Sequence, residues 1–174
     1  MTQPLYTVRQ LAYVVRDLDA ALKYWTEVLK VGPFFRFDHC PLMNQKFYGK
    51  PSNVDVTLCL GNSGDLQIEL IYQHNDEPSV YKEFLDAGRV GVHHFGMMPV
   101  DYKATCEQYK SLGHAAAFEC TVGGAELVYF DTVKTVGHYI ELWDNNQVYK
   151  DLFQFVEDAA KGWDGSHPVR PGPL

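Results

Sequence analysis

The chain has 174 residues, 46% of them hydrophobic, and a formal charge of −7 at pH 7, with an isoelectric point near 5.4. That is enough apolar material for a sizeable core, and the acidic balance argues against a nucleic-acid partner, which would need a basic face. No apolar run reaches membrane-spanning length, and the opening Met1-Thr2-Gln3-Pro4-Leu5-Tyr6 lacks a signal pattern, so a cytoplasmic protein without a membrane partner is expected.

The first predicted element is a strand over Val8 to Val15, closed by Asp17 as an N-cap. Leu18, Ala21, Leu22, Trp25, Val28 and Leu29 follow at helical spacing and predict one buried stripe, ended by Lys30-Val31-Gly32-Pro33. Phe34 to Phe37 reads as a short strand. His39 to Asn53, with Pro41, Gly49 and Pro51, reads as a loop excursion. Val54 to Leu60 and Leu66 to Tyr72 form a hairpin about Asn62-Ser63-Gly64-Asp65. Pro78 to Gly88 predicts a linking helix. Val92 to Met98 is a strand, and Asp101 caps a helix through Tyr102, Cys106, Tyr109 and Leu112, stopped by Gly113. Ala115 to Cys120, Leu127 to Asp131 and His138 to Trp143 are strands. Gln147 to Lys161 predicts a helix with Val148, Leu152, Phe155, Val156 and Ala159 inward, and the tail 162–174, with three prolines, is expected to lack regular structure. Cys40, Cys59, Cys106 and Cys120 show no Cys-x-x-Cys spacing and are expected as free thiols.

The order β-α-β-β-β occurs twice, and the halves share landmarks. Gln10 to His94 and Asp17 to Asp101 are both 84 residues apart, and Gln67-Ile68-Glu69-Leu70-Ile71 parallels Tyr139-Ile140-Glu141-Leu142-Trp143 at an offset of 72. The expected organisation is one domain over 1–174: a module over 5–76, a linking helix over 77–90, a second module over 91–145, and a C-terminal helix and tail over 146–174. The duplication puts Gln10, Glu69, His94 and Glu141 at matched positions, each among apolar or small residues on its strand face. A buried carboxylate needs a partner or a cation. Two carboxylates, an imidazole and an amide oxygen suit one divalent ion of Zn, Ni, Co, Mn or Fe. The set lacks the thiolates of structural zinc sites. By strand parity His93 points to the other face and is expected to pack or to support a ligand, and His138 is not expected to bind.

The run Gln10-Leu-Ala-Tyr-Val-Val-Arg-Asp-Leu-Asp-Ala-Ala-Leu22 followed by Val31-Gly-Pro-Phe-Phe35 resembles the vicinal oxygen chelate superfamily, in its glyoxalase-like branch. Gly49-Lys-Pro-Ser52, Gly64-Asp-Leu-Gln-Ile-Glu-Leu70, Gly91-Val-His-His-Phe95 and Ile140-Glu-Leu142 continue the likeness, which covers Val8 to Trp143. The resemblance implies an α+β fold of two paired βαβββ modules forming a curved mixed sheet around a metal-binding cleft. It places Gln10, Glu69, His94 and Glu141 on the four family ligand positions, a set similar to that of animal glyoxalase I. Methylmalonyl-CoA epimerases usually have His first and Gln second, and extradiol dioxygenases use two His and one Glu, so the chain departs from both. Lys30 stands where relatives often have a helix-ending Gly; a left-handed backbone there costs a lysine roughly 1 kcal/mol.

The resemblance implies a lyase or isomerase of glyoxalase I (lactoylglutathione lyase) type, or an acyl-CoA epimerase, working through an enediolate or enolate next to a carbonyl. Glu141 is the first candidate for the proton-transferring base and Glu69 the second. The substrate would be a small molecule with a carbonyl or vicinal oxygens, and the protein a homodimer. Phe35, Phe37, Phe47, Tyr48, Tyr129 and Trp143 are candidates for an apolar substrate pocket. A metal-dependent dioxygenase and a non-catalytic small-molecule binding protein are the alternatives.

Overall fold

A computed structural model describes residues 6–173. The first module comprises β1 (Val8–Val14), α1 (Leu18–Lys23), β2 (Phe34–Phe37), β3 (Met43–Phe47), β4 (Lys50–Pro51), β5 (Val56–Ser63) and β6 (Leu66–Gln73). A linking helix, α2 (Val80–Asp86), leads to β7 (Val92–Met97), α3 (Tyr102–Ser111), β8 (Ala116–Val122), β9 (Ala125–Phe130), the one-turn α4 (Val133–Val136) and β10 (Tyr139–Trp143). The chain ends in α5 (Gln147–Ala160) and β11 (Val169–Pro171).

These strands form one mixed, curved and unclosed sheet in the order β11-β2-β5-β6-β1-β7-β10-β9-β8-β3-β4. Its middle eight strands are two copies of one pattern, with β2-β5-β6-β1 mirrored by β8-β9-β10-β7. The copies meet where β1 runs antiparallel to β7, while each first strand runs parallel to its own last, β1 with β6 and β7 with β10. A parallel pair within each half needs a crossover, and α1 and α3 lie in those crossovers. Both helices begin alike: Asp17 accepts a hydrogen bond from the Ala20 N–H at 2.9 Å, and Asp101 from that of Ala104 at 3.0 Å. Leu18 and Leu22 pack with Phe34, Ile68 and Leu70 on one sheet face, and Cys106 packs with Val128, Phe130 and Leu142 on the same face of the other half. Each fully buried apolar side chain contributes roughly 1.5–3 kcal/mol. The opposite face carries the largest core, including Ala12, Phe37, Leu60, Tyr129 and Trp143.

Four sequence expectations need correction. The segment 39–53 is not a loop: β3 and β4 form a hairpin through Tyr48 and Gly49, both with positive φ (45° and 76°), and β3 crosses over to pair with β8 of the second module. Its pattern is polar and largely exposed, so no alternation betrays it, and the open edge of β8 supplies the order. The tail also gains structure: β11 pairs in parallel with β2. After Lys23 the first helix widens into a π-helical turn over Tyr24–Val28, closed by the Leu29 N–H on the Tyr24 carbonyl. The extra residue in that turn rotates the stripe, so Thr26 is buried while Val28 and Leu29 are 62% and 43% exposed. In α5 the buried face is Tyr149, Phe153, Val156 and Glu157. Val148 and Phe155 are exposed. Glu157 is accommodated because Arg9 of β1 reaches it at 3.2 Å, both side chains being buried, a pairing that apolar spacing cannot reveal.

Lys30 has φ 58°, the left-handed conformation that L residues disfavour and Gly adopts freely. Lys30→Gly is therefore expected to stabilise the chain by about 1 kcal/mol, seen as a rise in Tm of about 2–4 °C. An unchanged or lowered Tm would show that the lysine side chain compensates for its backbone.

Candidate metal centre

The four central strands each present one candidate ligand to the same face: Glu69 from β6, Gln10 from β1, His94 from β7 and Glu141 from β10. Register brings them together. Ala12 of β1 is paired on one side with Glu69 and on the other with His94, and Gly96 of β7 is paired with both Gln10 and Glu141. The ligands thus alternate with two of the smallest residues, which leaves space between them. A Cβ on Gly96 would fall 2.2 Å from the Trp143 ring, so a hydrogen is required there for the indole to lie over the strand.

The side-chain tips converge. His94 Nε2 lies 3.3 Å from Glu69 Oε2, 3.1 Å from Glu141 Oε2 and 3.2 Å from Gln10 Oε1. Gln10 Oε1 is 3.3 Å from each carboxylate oxygen. All four residues are at most 5% exposed. In the orientation a cation requires, the Gln10 N–H donates to Gln67 Oε1 at 2.8 Å and the oxygen points inward. Turned over, the amide would give its N–H to the two carboxylates and to His94 Nε2, and with Gln67 turned as well the cluster would close on hydrogen bonds without an ion. With the oxygen inward, three oxygens crowd His94 Nε2, and a proton on that nitrogen or a cation in its place is what holds them together.

A hydrogen-bond relay assigns the imidazole. His93 Nε2 donates to the Val80 carbonyl at 3.1 Å, so His93 Nδ1 carries a lone pair and accepts from His94 Nδ1–H at 2.9 Å. Deprotonated His94 is then left with its lone pair on Nε2, facing the other three donors, and such an outer bond holds a ligating imidazole in orientation. His93 is caged by Tyr81, Phe84 and Tyr139. Burial, with charged His94 beside it, drives the His93 pKa well below its usual value and keeps it neutral. His138 instead packs at a tilt against Phe95 and meets the Tyr139 carbonyl.

The donor set fits a divalent ion. Ligands 2.0–2.1 Å from a zinc-sized ion stand about 3.3 Å apart in a tetrahedron and about 2.9 Å apart as octahedral neighbours, and the observed separations fall between or at those values. Charge fits as well: two glutamates and a divalent ion sum to zero around a neutral imidazole, whereas two bare buried carboxylates leave a costly imbalance. Without a cation, burial lowers the charge tendency of His94, but Glu141 and then Glu69 outweigh it and push its pKa to about 9. Burial raises that of Glu69, opposed by His94. His94 is thus protonated at pH 7 in the metal-free chain and must lose that proton to ligate. Metal uptake at pH 7 is expected to release about one proton, falling towards none above pH 9, and apparent affinity should weaken as pH drops below about 9. Calorimetry in buffers of different ionisation enthalpy measures this; release independent of pH between 6 and 10 would contradict it.

The centre opens into a narrow cleft. Phe37, Leu60, Tyr129 and Trp143 line it from the sheet, and Tyr149, Leu152 and Phe153 of α5 cover it. Phe37, Tyr129 and Trp143 are the predicted pocket residues that reach the cleft; Phe35, Phe47 and Tyr48 do not line it. Tyr81 donates to the Tyr129 hydroxyl at 3.1 Å. Cys40 and Cys120 also line the cleft, but burial pushes the Cys40 thiol up to about 12 and Cys120 well above its usual value, so neither is a thiolate. All four cysteines are free and buried. Sequence reading missed Gln67, Ala12, Gly96 and the α5 cover. Gln67 shares the strand parity of Glu69, which was the available signal.

Among the described residues no helix is long and apolar enough to cross a membrane. None of the curated proteins is similar to the chain in sequence. Solved structures share its fold. They include a hypothetical protein from Bacillus halodurans (TM-score 0.56, 14% identity, 81% of this chain and 95% of that one). Methylmalonyl-CoA epimerase from Mycobacterium tuberculosis is similar (0.54, 18%, 87% and 95%), as is a methylmalonyl-CoA epimerase in complex with methylmalonyl-CoA and NH4+ (0.56, 16%, 83% and 98%). A family model matches residues 9–130, from the strand bearing Gln10 through the one facing Glu141. Together with the duplicated sheet and its cleft, that match places the chain in the glyoxalase/bleomycin resistance protein/dioxygenase superfamily, to which it belongs.

Proposed function

We propose that the chain is a divalent-metal-dependent enzyme of glyoxalase-like lyase, isomerase or epimerase type, transferring a proton at a carbon next to a carbonyl. The observation that carries this reading is the convergence of Gln10, Glu69, His94 and Glu141 at the floor of a cleft otherwise lined mainly by apolar side chains. A divalent ion held there supplies Lewis-acid polarisation of a substrate's carbonyl or vicinal oxygens. Glu141, which lines the cleft, takes the proton from carbon and returns it, with Glu69 as the second candidate. Tyr129, having accepted from Tyr81, keeps its own hydroxyl proton for a substrate oxygen. Helix α5 and the aromatic lining exclude water, which strengthens every electrostatic interaction inside.

Among the described residues the cleft lining contains no Lys or Arg, so beyond the oxygens at the ion the part of the substrate inside it is apolar, and an anionic carrier such as glutathione or coenzyme A would lie outside. The methylmalonyl-CoA epimerases of the same fold favour the epimerase form; the Gln/Glu/His/Glu set favours the glyoxalase form. The reading includes a cytoplasmic homodimer, and sedimentation at micromolar concentration showing a lone 19.8 kDa chain would remove the dimer from it. The deciding experiment is reaction in heavy water with hemithioacetals, 2-oxo acids and acyl-CoA thioesters. Deuterium entering next to the carbonyl is expected. Oxygen consumption without exchange would replace this reading with a dioxygenase, and tight ligand binding with neither would make the chain a binding protein.

A further inference from the structure

We propose a second metal site, on the protein surface, formed by His39, Asp55 and His74 and taking a divalent transition ion of the zinc, nickel or copper class. It goes beyond the central site and shares no residue with it. One ligand atom from each of the three side chains lies within 4.8 Å of the others. His39 Nδ1 is hydrogen-bonded to the two Asp55 oxygens at 2.8 and 3.0 Å, a contact an ion would replace at nearly the same spacing, since neighbouring ligands around an octahedral ion stand about 2.9 Å apart. The His39 and His74 rings stack at 4.6 Å and 28°.

The scaffold under the three is rigid. The His74 N–H donates to the Asp55 carbonyl at 2.8 Å, at the open end of the β5–β6 hairpin, and the Cys40 N–H donates to the Val56 carbonyl at 2.8 Å, pinning the segment that carries His39. Thr57 orients His74. Its hydroxyl donates to Asp38 Oδ1 at 3.1 Å, so it accepts from His74 Nε2–H at 2.8 Å and leaves His74 Nδ1 with the lone pair. That outer hydrogen bond is the usual companion of a ligating imidazole. His39 also adopts φ 49°, a sparsely populated conformation that persists where surroundings demand it and that clusters at ligand sites. Two imidazoles and one carboxylate, with His39 and His74 exposed, select zinc, nickel or copper over calcium or magnesium, which prefer oxygen donors. An ion here would tie the segment entering β3 to the end of β6, beside Cys40 on the cleft wall.

The test is zinc titration of the metal-free full-length chain, followed by calorimetry and by the imidazole resonances of each histidine. In the wild type, His39 and His74 are expected to shift together at micromolar zinc. In His94→Ala, which disables the central set, one equivalent should still bind, and His74→Ala added to that background should abolish it. His39→Ala should do the same. An unchanged stoichiometry in both variants would overturn the proposal. So would stationary His39 and His74 resonances until about 1 mM zinc, the range of weak surface chelation. The wild-type resonances keep the test decisive if a variant fails to fold. Persistence of this site in His94→Ala separates its fate from that of the catalytic reading.

Discussion

His94→Ala is expected to lower central-site metal affinity by more than about 100-fold, since removing even an outer-shell partner typically costs 10–100-fold. His94 supplies the one nitrogen of the set, and its Nε2 is the atom to which both carboxylates and the Gln10 oxygen are within 3.3 Å. Without it, Glu69 and Glu141 face one another across a buried space with no cation between them, an arrangement that desolvation opposes. Glu69→Ala should have the same effect from the neighbouring module. Gln10→Ala should do less, because a neutral amide oxygen is a weak donor and water can take its place. Metal content is to be counted in a His74→Ala background, so that the surface cluster does not contribute. Equal metal in the parent and His94→Ala chains would mean that the convergence of these side chains has nothing to do with an ion.

Glu141→Gln is expected to lower turnover by roughly 10²–10⁴-fold, the range of general acid–base catalysis. The change removes the basic oxygen but keeps the side chain's shape and a donor atom. The prediction is specific only if the metal remains, so occupancy and rate belong in the same sample. A metal-loaded Glu141→Gln chain that no longer exchanges deuterium next to the carbonyl identifies Glu141 as the proton carrier. If exchange persists with metal in place, the role passes to Glu69, the other carboxylate lining the cleft.

Much of the centre was legible because it lies in a repeat. The equal spacing of Gln10 to His94 and Asp17 to Asp101 made matched strands and matched helix caps visible, and all four candidate ligands came from that pattern. His93 was legible in part. Strand parity set it off the ligand face, but that its Nδ1 would orient His94 depended on the Val80 carbonyl of α2, a contact without a local signature. Gly96 and Ala12 carried no signal as single small residues. Their meaning appears only when register seats each between two ligands.

The sequence by itself determined what repeats locally: the twofold β-α-β-β-β order, the Asp-capped helices, and a polar residue at the same place on each central strand. Hydrophobic periodicity and capping act over a few residues, so they can be read from neighbours in the chain. The tertiary structure alone decided what joins distant segments. The crossing of β3 to β8, the return of β11 to β2, the rotated stripe after Lys23 and the closure of the cleft by α5 all depend on sheet edges and buried surfaces built elsewhere. Polar edge strands and a buried Arg9–Glu157 pair leave no apolar rhythm behind, and whether four donors meet within about 3 Å is fixed by strand register, which only the assembled sheet sets.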